Sequence, residues 1–240
     1  MTDINPGSGT SIVIKQETFV KTTNYLFFVA FNGTNTYLYR TDGTSSGTIQ
    51  ISSTIIAEAN KNSYVVNDKV IFHGSSTPEG RELFVTDGTP AGTGIIEDYT
   101  AGSGNTFGVI NKVLNSRLLM FGNFSNQSTL YSIEPTINTP YQTILDFNTI
   151  HTGARISSRG FSQADNGSIY FSVYIPSQDS TEIWKTDGTV FGTNYTGIKE
   201  NKFIDIFSNN GSSLVYYKAF DGSINRINTT NNSLFTYTTD

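Results

Sequence analysis

The stretch "ELFVTDGTPAGTGIIED", Glu82–Asp98, contains Thr-Asp-Gly-Thr, two further residues and then Gly-Thr. The same spaced pattern occurs in "LYRTDGTSSGTIQI", which begins at Leu38, and in "IWKTDGTVFGTNYT", which begins at Ile183. Each copy follows an apolar residue, an aromatic residue and one further position. Three copies of so long a pattern indicate an internal repeat.

Two weaker copies complete the series. "LYSIEPTINTPYQTI" begins at Leu130 and lacks Asp-Gly, and "INRINTTNNSLFTY" begins at Ile224 and keeps only the alternation and a polar turn. The five starting positions are separated by 45, 47, 53 and 41 residues. This period is typical of a four-stranded propeller blade, whereas helical repeats of similar length would show periodic helices.

Short strand-like runs fill each unit. Examples are "KVIFHGS", "RELFVTD" and "GTGIIED", which are bounded by Gly, Asn, Asp or Ser. Connections such as "FNGTN" and "FDGS" are too short for crossover helices, so hairpins are expected. We therefore predict an all-β fold, a five-bladed β-propeller in which each blade is a four-stranded antiparallel sheet.

The repeat predicts a single domain over residues 1–240, with units at approximately 1–55, 56–101, 102–150, 151–200 and 201–240. The alternative is a fragment of a larger propeller, or a propeller completed by another chain. The ring would close by packing of blades one and five, or by pairing of the N-terminal "TSIVIK" into the last blade.

Composition excludes several classes. Aromatic residues make up 13% of the chain, too many for a disordered segment. The net charge of −5 and the lack of Lys/Arg runs argue against a nucleic-acid partner. Without cysteine there are no disulfides or thiolate metal sites. No apolar run approaches the ~20 residues that span a bilayer, and "MTDINPGSGT" does not read as a signal peptide, so membrane insertion is not expected.

The Asp-Gly pairs are expected to form the turn between the third and fourth strands of a blade, because Gly accepts a positive φ and Asp bonds nearby backbone. These residues are Asp42, Gly43, Asp87, Gly88, Asp187 and Gly188. The alternative, calcium binding by the three aspartates, is less favoured because calcium takes six to eight oxygens. Glu134-Pro135 replaces Asp-Gly in unit three, which also favours a structural role. We expect no metal and no cofactor.

Trp184 is the candidate ligand-binding residue. The aromatic position of the repeat holds Tyr39, Phe84, Tyr131 and Trp184, with Asn225 in unit five. An aromatic side chain there could stack on a sugar, although packing against the adjoining blade is the favoured interpretation.

No catalytic residues are expected. His73 and His151 lie in different units, and each is predicted to have a turn or surface role. Glu97-Asp98 is poorly placed as an acid/base couple, because adjacent strand residues point to opposite faces. Arg155 and Arg159 are too few for a site that binds an acidic sugar.

The repeats resemble those of bacterial surface proteins with ELWxxDGTxxGT units, which are related to hyalin-type repeats. The resemblance rests on "DINPGSGTS" (Asp3–Ser11), "NYLFFVA" (Asn24–Ala30), "ELFVTDGTPAGT" (Glu82–Thr93) and "EIWKTDGTVFGT" (Glu182–Thr193). It implies export and display at the cell surface, usually together with other domains of a longer chain, and it implies no catalytic residues.

We therefore expect a non-catalytic, cell-surface or secreted binding module that engages a glycan or protein through its loops or inter-blade grooves. One alternative is a structural spacer of a large adhesin, and a second is a propeller glycosidase-like enzyme. Specificity is expected where the units differ, in the loops "HGSSTPEG" (His73–Gly80), "FSNQS" (Phe124–Ser128) and "YIPSQDS" (Tyr174–Ser180).

Overall fold

The computed structural model describes residues 4–7, 9–11, 19–58, 61–105, 108–123, 127–201, 204–207 and 213–237. These residues form 21 strands and two short 3₁₀ turns, at Phe147–Thr149 and Pro176–Gln178. None of the helical segments in this part of the chain is long and apolar enough to cross a membrane. Most of the "TSIVIK" segment lies outside the described residues.

The strands form five sheets that follow one another along the chain. Sheet 1 contains β1 (Val20–Lys21), β2 (Leu26–Phe31), β3 (Thr36–Thr41) and β4 (Ile49–Gln50). Sheet 2 contains β5 (Ile56–Ala57), β6 (Tyr64–Val66), β7 (Lys69–Ser76), β8 (Gly80–Thr86) and β9 (Gly94–Ile95). Sheet 3 contains β10 (Gly108–Leu114), β11 (Arg117–Asn123), β12 (Thr129–Ile133) and β13 (Gln142–Asp146).

Sheet 4 contains β14 (Arg155–Gln163), β15 (Ile169–Ile175), β16 (Ser180–Thr186) and β17 (Asn194–Asn201). Sheet 5 contains β18 (Asp205–Phe207), β19 (Leu214–Lys218), β20 (Ile224–Asn228) and β21 (Leu234–Tyr237). The sheets are antiparallel. The predicted all-β class and hairpin connections are therefore confirmed.

Sheet 2 has five strands, so the prediction of four strands in every unit is wrong there. Both β5 and β6 pair with the same edge of β7, which is eight residues long. Gly74 allows β5 to approach, because a Cβ at this position would lie 2.9 Å from Ile55 Cγ2 and 3.1 Å from the Ile56 carbonyl oxygen. The chain leaves β7 after Ala57 and returns to it at Tyr64.

His73 lies within β7 and is only 5% exposed, so the predicted turn or surface role is wrong. The sequence "HGSS" resembles a turn, but the β7–β8 hairpin continues to the Ser76–Gly80 pair. Burial, with a smaller contribution from Lys61, lowers the pKa of His73 to about 4. The imidazole is therefore neutral at pH 7.

The chain divides into two compact units. Unit 1 contains Met1–Phe107, Ser116–Leu118 and Ile133–Tyr141, and unit 2 contains Gly108–Asn115, Leu119–Ser132 and Gln142–Asp240. In unit 1, side chains of sheets 1 and 2 share a core that includes Phe27, Leu38, Val70, Phe72 and Phe84.

Sheet 4, in unit 2, is packed on both faces. Phe171 and Trp184 lie in a cluster with Leu119 and Phe121 of sheet 3. On the opposite face, buried side chains cluster with those of sheet 5; they include Tyr170, Ile183, Val215, Tyr217 and Ile227. The near-continuous apolar character of β15 follows from this two-sided burial.

Candidate functional site

Three corners carry the repeated motif. We call them corner A (Thr41–Thr48), corner B (Thr86–Thr93) and corner C (Thr186–Thr193). Each corner begins at the last residue of a strand, and its final threonine directly precedes the strand that follows. These pairs are β3 and β4, β8 and β9, and β16 and β17, the third and fourth positions of the pairing order in their sheets.

The aspartate of each corner bonds within its own turn. In corner B, Asp87 Oδ1 accepts hydrogen bonds from the Thr89 backbone N–H at 2.8 Å and from Thr89 Oγ1 at 2.7 Å. Corners A and C repeat both bonds at 2.9 and 2.7 Å. The following glycine has a φ of 93° in corner B, a conformation that favours glycine.

The outer threonines of each corner close a second set of bonds. In corner B, Thr86 Oγ1 and Thr93 Oγ1 lie 2.6 Å apart. Thr86 Oγ1 also accepts from the Gly88 N–H at 2.9 Å, and Thr93 Oγ1 donates to the Thr89 carbonyl at 2.6 Å. The same bonds recur in corners A and C. The Thr positions of the motif are therefore fixed by hydrogen bonding within the turn.

The second glycine of the motif makes room for the aspartate. A Cβ on Gly92 would lie 2.2 Å from both carboxylate oxygens of Asp87. The equivalent Cβ atoms on Gly47 and Gly192 would lie 1.9 Å from the Oδ1 of their aspartates. The constant five-residue offset from Asp to Gly was the signal that could have revealed the contact.

Corners B and C also contact the preceding sheet within their unit. In unit 1, a Cβ on Gly88 would lie 3.1 to 3.3 Å from side-chain atoms of Arg40 and Phe27 in sheet 1 and of Tyr25, which directly precedes β2. In unit 2, Asn115 Nδ2, in the turn between β10 and β11 of sheet 3, donates to the Asp187 carbonyl at 2.8 Å. The motif therefore joins strands within one sheet and also contacts the neighbouring sheet.

The two unspecified residues of the motif form the tip of each corner. They are Ser45-Ser46 in corner A, Pro90-Ala91 in corner B and Val190-Phe191 in corner C, and all six are exposed. Phe191 is 96% exposed and Val190 is 59% exposed. Asn194 Nδ2 donates to the Phe191 carbonyl at 2.8 Å, which anchors this tip on β17.

Trp184, the sequence-predicted ligand candidate, is 7% exposed and lies in the core of unit 2. Its ring meets Phe147 edge-on, with centroids 4.9 Å apart. Trp184 Nε1 donates to Glu182 Oε2 at 3.0 Å, and Glu182 Oε1 lies 3.1 Å from His151 Nε2. Both carboxylate oxygens of Glu182 are therefore engaged by neighbouring side chains.

The equivalent aromatic positions are also buried. Tyr39, Phe84, Tyr131 and the replacing Asn225 are each less than a tenth exposed. None of these ring positions offers an open stacking surface.

The adjacent carboxylates Glu97 and Asp98 each accept a hydrogen bond from a different backbone N–H. Glu97 Oε2 accepts from the Tyr141 N–H at 2.6 Å, and Asp98 Oδ2 accepts from the Gly102 N–H at 3.2 Å. The structure therefore does not join the two carboxylates at one site. The side chain of Arg159, the neighbour considered with Arg155, is outside the described residues.

Two of the three variable loops are described. In His73–Gly80, Ser76 Oγ donates to Glu79 Oε2 at 2.8 Å. In Tyr174–Ser180, the Tyr174 hydroxyl donates to Asp179 Oδ1 at 3.0 Å. Most of the loop Phe124–Ser128 lies outside the described residues. Among the residues that are described, no three His, Asp or Glu side chains are grouped so that they could hold a metal ion.

Comparisons with known proteins identify the type of fold. No family model matches the chain, and no curated protein matches it. A puromycin-hydrolyzing peptidase of Mycobacterium tuberculosis matches 93% of the chain at a TM-score of 0.53 and 10% identity. Prolyl oligopeptidase B from Galerina marginata matches 92% at 0.50 and 12% identity, and oligopeptidase B from Leishmania major matches 90% at 0.50 and 8% identity.

The fold is of the β-propeller type. At these identities the likeness concerns the fold alone. The chain spans 39%, 37% and 33% of the lengths of the three proteins.

Proposed function

We propose that the protein is a non-catalytic binding module, displayed at a bacterial cell surface or secreted, that recognises a protein or a glycan. The observation that carries this proposal is the Val190-Phe191 tip of corner C, where a phenylalanine side chain is 96% exposed on a hydrogen-bonded turn.

The corner does not need apolar residues at its tip. Corner A forms the same hydrogen bonds with Ser45-Ser46, and corner B forms them with Pro90-Ala91. The side chains of Val190 and Phe191 therefore add exposed apolar surface and are not required for the hydrogen bonds of the turn. Burying such a side chain in a partner contributes about 1.5–3 kcal/mol, and a turn that is already ordered loses little entropy on binding.

The five sheets supply the scaffold of this proposal. Each sheet falls within one of the five repeat units, and its strands follow chain order. The propeller-type structural neighbours support taking each sheet as one blade. We propose that the five blades form one ring, which holds the variable tips and loops in fixed positions.

Exchange of the tip tests the binding proposal. The variant Val190→Ser/Phe191→Ser gives corner C the tip that corner A already carries. Labelled wild-type protein should bind a glycan array or intact bacterial cells, and the variant should lose most of that binding. Ser45→Ala/Ser46→Ala is the matched control, because it alters an equivalent tip that is already polar. Equal binding by wild type and variant would show that the tip takes no part in recognition.

A structural spacer is the second candidate function. It is favoured because corner contacts join neighbouring sheets, as in the hydrogen bond from Asn115 Nδ2 to the Asp187 carbonyl. If wild-type protein binds no glycan, cell or surface extract, the spacer is the better account. A glycosidase-like enzyme is less well supported, because Glu97 and Asp98 accept from two separate backbone N–H groups and are not joined at one site.

A further inference from the structure

We propose that the outer edge of sheet 5 is an interface between two copies of this chain, formed by antiparallel pairing of β21 (Leu234–Tyr237) with the same strand of the second copy. This interface is separate from the Val190-Phe191 tip. The inference does not depend on the proposed binding function.

The outer strands of the other sheets have features that discourage pairing. β4 and β9 contain only two residues each. The pairs that contain β13 and β17 both show a register shift. These two longer strands also carry charged residues, namely Asp146, Lys199 and Glu200. Short length, irregular pairing and charge are the usual protections of a sheet edge.

β21 is also short, at four residues, but it lacks the other two protections. Its sequence, Leu-Phe-Thr-Tyr, lacks charge, glycine and proline. It pairs with β20 at four consecutive positions without a register shift. Leu234 is 46% exposed, Phe235 is 53% exposed and Tyr237 is 40% exposed. Within the described residues, β20 is its only partner strand. A regular, uncharged, apolar edge of this kind favours pairing with another strand.

A second copy fits this edge better than an unrelated strand because pairing would be self-complementary. Antiparallel pairing of identical strands across a two-fold axis uses the same surface twice and closes after two copies. The chain has a net charge of −5, yet β21 brings no like charges together. Pairing of the two β21 strands would form one continuous antiparallel sheet across both copies.

The neighbouring charge is also compatible with this pairing. Arg226 on β20 lies over the rings of Phe235 and Tyr237, with its guanidinium carbon 4.9 and 5.8 Å from their centroids. In a paired dimer, the two β20 strands would be three strand spacings apart, about 14 Å. This separation exceeds the screening length at physiological salt, so the two arginines would not oppose association.

The four-residue strand makes the contact small, so the dimer should form in a concentration-dependent way. Analytical ultracentrifugation of the full chain should show a monomer at low micromolar concentration and a dimer at high micromolar concentration. Phe235→Glu should keep the protein monomeric throughout. This variant places a carboxylate opposite Arg226 within its own sheet, but it brings two like charges together in the dimer.

Phe191→Glu is the matched control, because it removes an exposed phenylalanine from corner C and leaves β21 unchanged. It should dimerise like the wild type. Hydrogen exchange supplies a readout that needs no variant: the amides of Leu234–Tyr237 should exchange more slowly at high than at low concentration. A wild-type monomer at every concentration, unchanged exchange, or dimerisation of Phe235→Glu equal to that of wild type would overturn the proposal.

Discussion

Corners B and C form the same hydrogen bonds but present different tips to solvent. In both, the aspartate accepts from the threonine two residues later, and the outer threonines meet at 2.6 and 2.7 Å. Corner B ends in Pro90-Ala91, whereas corner C ends in Val190-Phe191. The comparison separates two kinds of information within eight residues: six positions specify the turn, and two are free to vary.

The largest expected effect comes from filling the space beside the aspartate. Gly92→Ala should lower the free energy of unfolding by about 3 kcal/mol, because its Cβ would overlap the Asp87 carboxylate. Gly192→Ala should act equally in corner C. Urea denaturation provides the measurement.

A second substitution tests the cause of that loss. Asp87→Ala removes the carboxylate, so Gly92→Ala should cost much less in the Asp87→Ala background. If the two losses simply add, the glycine is required for another reason.

Trp184→Phe should lower the free energy of unfolding by about 1–3 kcal/mol, because Glu182 Oε2 loses a buried hydrogen-bond donor. The variant brings the strand closer to that of corner B, where Phe84 takes the place of the indole. Thermal unfolding of Trp184→Phe and of Trp184→Phe/Glu182→Gln should show partial recovery in the double variant. No loss in the single variant would mean that the indole bond contributes little.

Acid should weaken corner B through its aspartate. The hydrogen bond from Thr89 is the largest cause of the lowered pKa of Asp87. A carboxyl group with a lower pKa in the folded chain stabilises the fold above its unfolded pKa of about 4, and this contribution is lost as pH falls through the folded value.

Thr89→Val removes the hydroxyl donor and should therefore reduce this acid-dependent loss of stability. Melting temperatures measured from neutral to acidic pH provide the test, with Thr44→Val in corner A as the parallel variant, since Thr44 likewise lowers the pKa of Asp42. Identical pH profiles for wild type and Thr89→Val would contradict the assignment.

The smallest effect is expected from exchanging tips. Ser45→Val/Ser46→Phe gives corner A the tip of corner C and should change the free energy of unfolding by less than about 0.5 kcal/mol. Urea denaturation of this variant beside the wild type is sufficient. A larger loss would show that the contact of Ser46 Oγ with Thr44 Oγ1, at 3.3 Å, contributes to the stability of corner A.

The spacing of the repeat was enough to predict the all-β class and the position of the corners. Thr-Asp-Gly-Thr followed at fixed distance by Gly-Thr encodes local hydrogen bonds, and local bonds can be inferred from sequence. The pairing of Glu182 with Trp184 was also accessible, because residues two apart on a strand share a face.

Features that depend on distant neighbours were not accessible. His73 was expected in a turn or at the surface, whereas pairing with β8 continues the strand beyond it and the side chain is buried. The separate β5 depends on Gly74 leaving room for Ile55 and Ile56, a contact between segments almost 20 residues apart. The exposure of Phe191 is likewise a property of the folded corner.

The central claim is that six positions of corner C form the turn and that its two tip residues serve binding. The Val190→Ser/Phe191→Ser exchange tests this claim most directly, with unfolding and cell binding measured on the same preparation. We predict that the free energy of unfolding stays within about 0.5 kcal/mol of wild type while binding is lost. A stable variant that binds as well as wild type, or one that unfolds, would contradict this account.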